Sequence, residues 1–236
     1  MPSQIEKMQA HSEHLLDAFL MLLERYAILA PMLFDEEICR QHGSGKKARG
    51  FEILRKSLFL SCAQDIANLT LDHFNNSLSI KNLVDELQDS NLVDELREMY
   101  SVWYTPSYEN EKDPSIISAL KKMEEREQKN RMMEFDYLYA EMNEKWVLLS
   151  ECRSMNAFST IRKKVSAHIE VKSVADKYQF VDLGQLGLVW GDLKYAIEQM
   201  QRLIELLQLL IRNAGMAWDL EKERIYKAGK EFWATI

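Results

Sequence analysis

The chain has 236 residues, of which 47% are hydrophobic and 28% are charged, and this balance excludes a disordered or collagen-like protein. Glycine and proline together make up about 5% of the residues, against a usual ~12%, which is too little to supply the turns of an all-β fold. The net charge of −7 requires that any contact with nucleic acid use a local basic patch, because the overall field repels phosphate.

The first third of the chain is predicted to form two long amphipathic helices. The first runs from about Gln4 to Ala30, because apolar residues recur there at spacings of three, four and seven. Pro31 is expected to weaken or end it, and residues 42–45 form a break rich in glycine. The second helix covers about residues 47–74 and has few charges in its middle, which predicts a central place in the core.

The middle of the chain contains a short repeat and one very long helix. Residues 82–87 and 91–96 both read Asn-Leu-Val-Asp-Glu-Leu, which predicts two short pieces of similar amphipathic helix. Residues 101–113 are interpreted as a loop. An aspartate followed by proline then predicts a helix over about residues 114–150, within which residues 121–130 are mostly charged and are expected to face solvent.

The last third is predicted to be helical as well. A kink near residues 154–159 is followed by a helix to about Glu170, a connector over residues 171–181, and a long helix that opens at Asp182 with a capping-box pattern. A final helix begins near Met216. The seam of the long helix is predicted to comprise Leu186, Val189, Leu193, Ile197, Met200, Ile204, Leu207 and Ile211.

No strand is predicted, so the expected fold is an all-α bundle of long antiparallel helices. Residues 1–236 are expected to form a single domain, from which the helix over 114–150 projects as an arm. The longest apolar run has eight residues and includes a proline, whereas a membrane span needs about twenty. The cysteines, three in number and widely spaced, are typical of a reducing compartment, so a cytoplasmic protein with no membrane contact is predicted.

Residues 153–172 differ from the rest of the chain in charge. They contain five lysines and arginines and a single glutamate, which gives +4 within a protein of −7 and leaves −11 on the remainder. Such a patch can hold a phosphate while the acidic body rejects polyanions in general. The segment also contains a histidine, whose ordinary pKa suits proton transfer near neutral pH.

Within this segment, Arg162 and His168 are separated by five residues on a late helix of the predicted bundle. This arrangement resembles the Arg-x(4–6)-His motif of the HEPN superfamily. The Ala167-His168 ending, the size of the chain and residues 58–72 are similar to the AbiU-type abortive-infection branch. Many members of the superfamily carry a polar residue directly after the arginine, where this chain has Lys163.

The resemblance implies an endoribonuclease of toxin–antitoxin or phage-defence type that needs no metal or other cofactor. Its catalytic residues would be His168 as acid and base and Arg162 as phosphate clamp, since a guanidinium stabilises the charge of a phosphorane. RNA would be the partner molecule, with a cognate antitoxin as a second partner. Contacts to the RNA backbone would come from Lys163, Lys164, Arg153 and Lys172.

The resemblance also implies a homodimer with the basic motif near the two-fold axis. Arg162 and His168 would be about 120° apart on one helix, so a site shared between two chains brings them together more easily. The expected dimer surface is the apolar face beside the motif, formed by Phe158, Ile161, Val165 and Ile169.

Two other kinds of function stay open at this point. One is a non-catalytic helical module that binds protein or RNA through residues 121–130 or 186–211, with His168 merely interacting with a helix dipole. The other is a metal-binding bundle, for which His11, His14 and Asp17 form a possible half-site. A solvent-facing strip explains these three residues better, because no second pair completes the ligand set.

Overall fold

In a computed structural model of the chain, the described residues are 3–74, 77–103, 112–163, 171–174, 177–180 and 186–234. They are predominantly α-helical, which confirms the predicted all-α fold class. A short 3-10 turn, Gly45–Lys47, lies between the second and third helices. The α-helices are α1 (Gln4–Phe34), α2 (Glu36–His42), α3 (Ala48–Leu71), α4 (Ile80–Glu86), α5 (Ser90–Ser101), α6 (Pro114–Ser150), α7 (Arg153–Ile161), α8 (Trp190–Arg212) and α9 (Trp218–Ala234).

Helix α1 begins with a capping box between Ser3 and Glu6 and continues through Pro31 to Phe34. The predicted end near Ala30 is therefore four residues too early, and Pro31 does not end the helix. Proline removes one backbone hydrogen bond, but the carbonyl of Pro31 still accepts a bond from the Asp35 N–H at 3.0 Å. Met32 is fully buried, so packing stabilises the last turn.

The core is centred on α1, which packs against α3, α8 and α9. The buried Gln208 side chain of α8 donates a hydrogen bond to Oγ of the buried Ser12 at 2.9 Å. One turn earlier on α1, Gln9 donates to the carbonyl of Ile211 at 3.3 Å. Residue numbers thus fall along one helix as they rise along the other, so α1 and α8 are antiparallel.

Helix α8 begins at Trp190, later than the predicted start at Asp182, which lies outside the described residues. Two members of the predicted seam, Leu186 and Val189, precede the helix, and Val189 is 64% exposed. Gly187 has a φ of +64°, a left-handed conformation that cannot continue an α-helix. The remaining members of the predicted seam are buried: Leu193, Ile197, Met200, Ile204, Leu207 and Ile211.

A two-stranded antiparallel hairpin replaces the predicted connector over residues 171–181. Strand β1 (Val171–Val174) pairs with β2 (Lys177–Phe180), with Val171 opposite Phe180. The prediction of no strand is therefore wrong at this one place. Valine, tyrosine and phenylalanine favour extended backbone, and a run of four residues is too short to show a period.

Helices α4 and α5 carry the two copies of the six-residue repeat, as predicted, with Leu87 of the first copy as the C-cap of α4. Both copies contribute leucines to the core. The buried leucines of the repeat are Leu83, Leu87, Leu92 and Leu96.

Helix α6 has the predicted bounds, with Asp113 as its N-cap and proline in its first turn. None of residues 114–132 is buried, and the first buried residue of α6 is Phe135.

Candidate functional site

Helix α7 carries the start of the basic segment and lies against α3. The predicted kink at residues 154–159 is wrong, because α7 is continuous there and the chain turns earlier, at Glu151 and Cys152. Phe158 and Ile161 are fully buried in the core of their own chain. They cannot supply the predicted dimer surface, whose other two members lie outside the described residues.

Arg162 follows α7 directly and makes an ion pair with a distant part of the chain. Its Nη2 donates to Oδ2 of Asp72, the residue that follows α3, at 2.7 Å. Both side chains are largely shielded from solvent, at 22% exposed for Arg162 and 14% for Asp72. The pair therefore fixes the guanidinium at a defined place beside the end of α3.

The loop that contains Asp72 is itself held by hydrogen bonds from the start of α4. The Ser79 hydroxyl donates to the Asp72 carbonyl at 2.6 Å, and the Asn82 side-chain amide donates to the carbonyls of Phe74 at 2.7 Å and Ser77 at 2.9 Å. Both donors belong to the start of α4, so these bonds tie Asp72, Phe74 and Ser77 to that helix. The carboxylate that orients Arg162 thus has a rigid support.

The position of Asp72 conflicts with helix electrostatics taken alone. A carboxylate at the C-terminal end of a helix faces the negative end of the helix dipole, which is unfavourable. The guanidinium of Arg162 compensates for that charge. The sequence signal for this role is an acidic residue close to the end of the second predicted helix.

Two exposed aromatic side chains follow Asp72 directly. The rings of His73 and Phe74 stack with their centroids 5.1 Å apart and an interplanar angle of 18°. Phe74 is 64% exposed, so one face of this stacked pair is open to solvent. A histidine therefore lies next to the acidic partner of Arg162 in the chain.

The other predicted site residues are only partly placed. Lys163 is exposed and follows Arg162. His168 and Lys164 lie outside the described residues, so the geometry of the Arg162–His168 pair stays a prediction. Lys172 lies in β1, where its backbone pairs with Gln179.

Arg153 is at the opposite end of α7 from Arg162. Its Nη2 donates to the carbonyl of Gly187 at 3.1 Å, beside a small cavity of about 150 Å³. A helix of nine residues is about 13 Å long. The structure thus separates Arg153 from Arg162, and Arg153 helps to hold the segment before α8.

In the possible metal half-site on α1, His14 and Asp17 are exposed and His11 is half-buried. Nδ1 of His14 lies 3.9 Å from Oδ2 of Asp17, and both side chains are more than 60% exposed. Among the described residues, no group of three histidine, cysteine, aspartate or glutamate side chains is placed to hold a metal ion. In the same part of the chain, no helix is long and apolar enough to cross a bilayer.

Comparison with protein families decides where this arrangement belongs. A family model described as AbiU2, of the HEPN group, matches residues 5–232. The chain belongs to the AbiU2 family. Neither the curated proteins nor the solved structures contain a match.

Membership of the AbiU2 family confirms the resemblance to the HEPN superfamily and to its abortive-infection branch. The match begins at the second residue of α1, includes α2 to α8 completely and ends two residues before the end of α9. Arg162, Asp72 and His168 all lie within it. Both residues of the ion pair at the end of α7 therefore lie in the part of the chain that the family model matches.

Proposed function

We propose that the protein is an endoribonuclease of abortive-infection type that cleaves RNA through attack of a ribose 2′-OH on the adjacent phosphate. Membership of a HEPN family supports this reaction class. The observation that carries the proposal is the ion pair between Arg162 and Asp72, which holds a partly buried guanidinium at the start of the Arg-x5-His segment.

The two residues of the motif have complementary roles in this reaction. His168 removes the proton from the 2′-OH and returns a proton to the leaving 5′-oxygen, which forms a 2′,3′-cyclic phosphate and a free 5′-hydroxyl. Arg162 stabilises the negative charge that develops on the phosphorane oxygens. No further reactant is needed, because the nucleophile belongs to the RNA.

The ion pair leaves Arg162 able to bind phosphate. Nη2 donates one N–H to Asp72, and the planar guanidinium has further N–H groups along its other edges. Asp72 prevents the side chain from sampling other rotamers, so less entropy is lost when phosphate binds. Exposed Lys163 adds positive charge beside the same site.

Alanine substitution tests the proposal with two matched controls. R162A and H168A should each reduce the rate of RNA cleavage by about 100-fold or more, the usual contribution of acid–base and oxyanion groups. R97A removes an arginine that also pairs with an aspartate, Asp136 at 2.6 Å, and H14A removes an exposed histidine; both should cleave normally. Full activity in H168A would overturn the assignment.

The neighbouring histidine requires its own variant. His73 follows the acidic partner of Arg162 and is exposed, so H73A belongs in the same experiment. We expect H73A to keep most of the activity, because the motif assigns proton transfer to His168. Loss of activity in H73A together with normal activity in H168A would move the acid–base role to the loop after α3.

The proposal extends to partners. We propose that the protein is a toxin whose activity a cognate antitoxin restrains, and that it acts as a homodimer. Because Phe158 and Ile161 are buried in their own core, the surface of this dimer would use residues other than these two. Expression in a bacterial host should arrest growth with the intact chain and not with R162A.

A further inference from the structure

A cavity of about 350 Å³ lies between α3, the end of α7 and the segment before α8. Its walls include Arg55, Lys56, Phe59, Ile161 and Trp190. The volume is near the lower end of the ~300–1,000 Å³ range of small-ligand sites. Aromatic and basic side chains thus share one concave surface, and Ile161 directly precedes Arg162.

We propose that this cavity binds an unpaired base of the RNA, stacked on the Trp190 ring, while Arg55 and Lys56 contact the adjoining backbone. This inference rests on the proposed function and names a substrate subsite for it. Stacking of bases on aromatic rings beside basic groups is the usual way in which proteins bind single-stranded nucleic acid.

Trp190 has the exposure and the support that a stacking platform needs. It is 43% exposed although it is the first residue of a helix that is otherwise well packed. The ring of Phe59, itself 8% exposed, contacts Trp190 nearly at right angles, with centroids 5.1 Å apart and an interplanar angle of 82°. The indole is therefore held in place and still accessible to a ligand.

The two cations of the cavity are held differently. The guanidinium of Arg55 lies 5.7 Å from the Trp190 ring centroid, and Glu52 orients it through a hydrogen bond of 2.7 Å. Lys56 is exposed, and within the described part of the chain it makes no hydrogen bond or ion pair. The charge of Lys56 is thus available to a phosphate. A further lysine, Lys163, follows the wall residue Ile161 by two positions in the chain.

The position of the cavity fits a site for a neighbouring nucleotide. One wall residue of the cavity, Ile161, directly precedes Arg162, whereas another, Phe59, precedes Asp72 by thirteen residues, which corresponds to about 20 Å of helix. A strand whose scissile phosphate is at Arg162 therefore reaches the cavity within a few nucleotides. Such a subsite would orient the RNA and favour single strands, without taking part in the chemistry.

A larger cavity, of about 740 Å³ between α1, α2 and α9, is unsuited to the same ligand. Its rim includes Asp35, Glu36 and Glu37, which repel phosphate. The smaller cavity has two cations, Arg55 and Lys56, against one carboxylate, Glu52, so its lining carries a net positive charge.

The experiment measures binding of a fluorescently labelled single-stranded oligoribonucleotide by anisotropy, in the intact chain and in an H168A background. W190A should weaken binding by about tenfold, the usual contribution of one stacked base, and W190F should restore most of the affinity. Y195A is the matched control, because Tyr195 lies on the same helix with 44% exposure and does not line the cavity. A double-stranded RNA of the same sequence should show no dependence on Trp190.

A second pair of variants tests the backbone contact. K56A should weaken binding and reduce the slope of log affinity against log salt by about one, as expected for one lost phosphate contact. K194A removes an exposed lysine of α8 outside the cavity, so the RNA affinity and the salt slope should both stay unchanged in this variant. An unchanged salt slope in K56A would remove Lys56 from the site.

The outcomes separate this inference from the nuclease proposal. Binding that depends on Trp190 without any cleavage would support the subsite and reject the nuclease. Cleavage with normal RNA affinity in a folded W190A chain, or a W190F variant as weak as W190A, would reject the subsite alone. Absence of both binding and cleavage in the intact chain would reject both.

Discussion

Asp72 and Arg162 are ninety residues apart in the chain, yet Oδ2 of the first lies 2.7 Å from Nη2 of the second. The contact joins the end of α3 to the end of α7. It couples the guanidinium of the proposed active site to a loop that Ser79 and Asn82 hold in place. The position of Arg162 thus depends on three separate parts of the chain.

The first prediction concerns this pair. D72N keeps the shape of the side chain and removes its charge, so Arg162 loses the carboxylate that orients it. RNA cleavage should fall by about tenfold or more, which corresponds to the loss of one charge-assisted hydrogen bond. The matched control is D65N, which lies within α3 and breaks the pair between Asp65 and Arg25. Equal cleavage rates in D72N and D65N would contradict a positioning role for Asp72.

The second prediction concerns the chemistry of cleavage. Because the nucleophile is a ribose hydroxyl and the acid–base group is histidine, cleavage should continue in excess EDTA. The products should carry 2′,3′-cyclic phosphate and 5′-hydroxyl ends, which mass spectrometry distinguishes. Substrates with 2′-O-methyl riboses should resist cleavage. Activity that disappears with EDTA and returns with Mg²⁺ or Mn²⁺ would favour a metal-dependent reaction instead.

The third prediction concerns stability and pH. Arg202 of α8 donates to both carboxylate oxygens of Glu141 on α6, each at 2.7 Å, and these hydrogen bonds lower the pKa of Glu141 below its ordinary value of 4.5. A lowered folded-state pKa stabilises the protein above pH 4.5, and that stability is lost as the pH falls through the lowered value.

The free energy of unfolding of E141Q should therefore be about 1 kcal/mol lower than that of the intact chain at pH 7. This difference should become smaller as the pH falls. Urea unfolding at several pH values measures this. E144Q removes an exposed carboxylate of the same helix and is the control. A difference that stayed constant from pH 7 to pH 3 would show that the charge of Glu141 is not the cause.

The fourth prediction concerns the contact between α9 and α1. Gly229 is buried, and a Cβ at this position would lie 2.5 Å from the backbone oxygen of Ala27. G229A should therefore destabilise the fold by about 1–3 kcal/mol, because the two helices must separate. G50A is the control, since its new Cβ would meet no atom within 4 Å beyond its chain neighbours and the nearby backbone of its own helix, and it should be neutral or slightly stabilising. Thermal unfolding of both variants gives the comparison.

The fifth prediction concerns a site shared between two chains. If Arg162 of one chain acts with His168 of the other, inactive R162A and H168A chains should regain part of the activity when mixed. Sedimentation at micromolar concentration establishes the stoichiometry. A stable dimer with no recovery in the mixture would place both residues of each site in one chain.

Local sequence patterns determined the fold class, the start of one helix and the family motif of this protein. The scarcity of glycine and proline and the periodic apolar residues determined the all-α class, since both act within a few turns of one helix. The sequence Asp113-Pro114 determined the start of α6, because an N-cap acid and a first-turn proline need only their own backbone. The Arg-x5-His spacing indicated the HEPN superfamily for the same reason.

Contacts between remote elements were decided by the tertiary structure alone. No spacing predicts that Asp72 orients Arg162 or that Phe59 supports Trp190, because each pair depends on how α3 packs against α7 and on where α8 begins. The hairpin in place of a connector and the burial of Phe158 have the same origin. Periodicity shows which face of a helix is apolar, but only packing decides what that face contacts, since many partners bury similar apolar area.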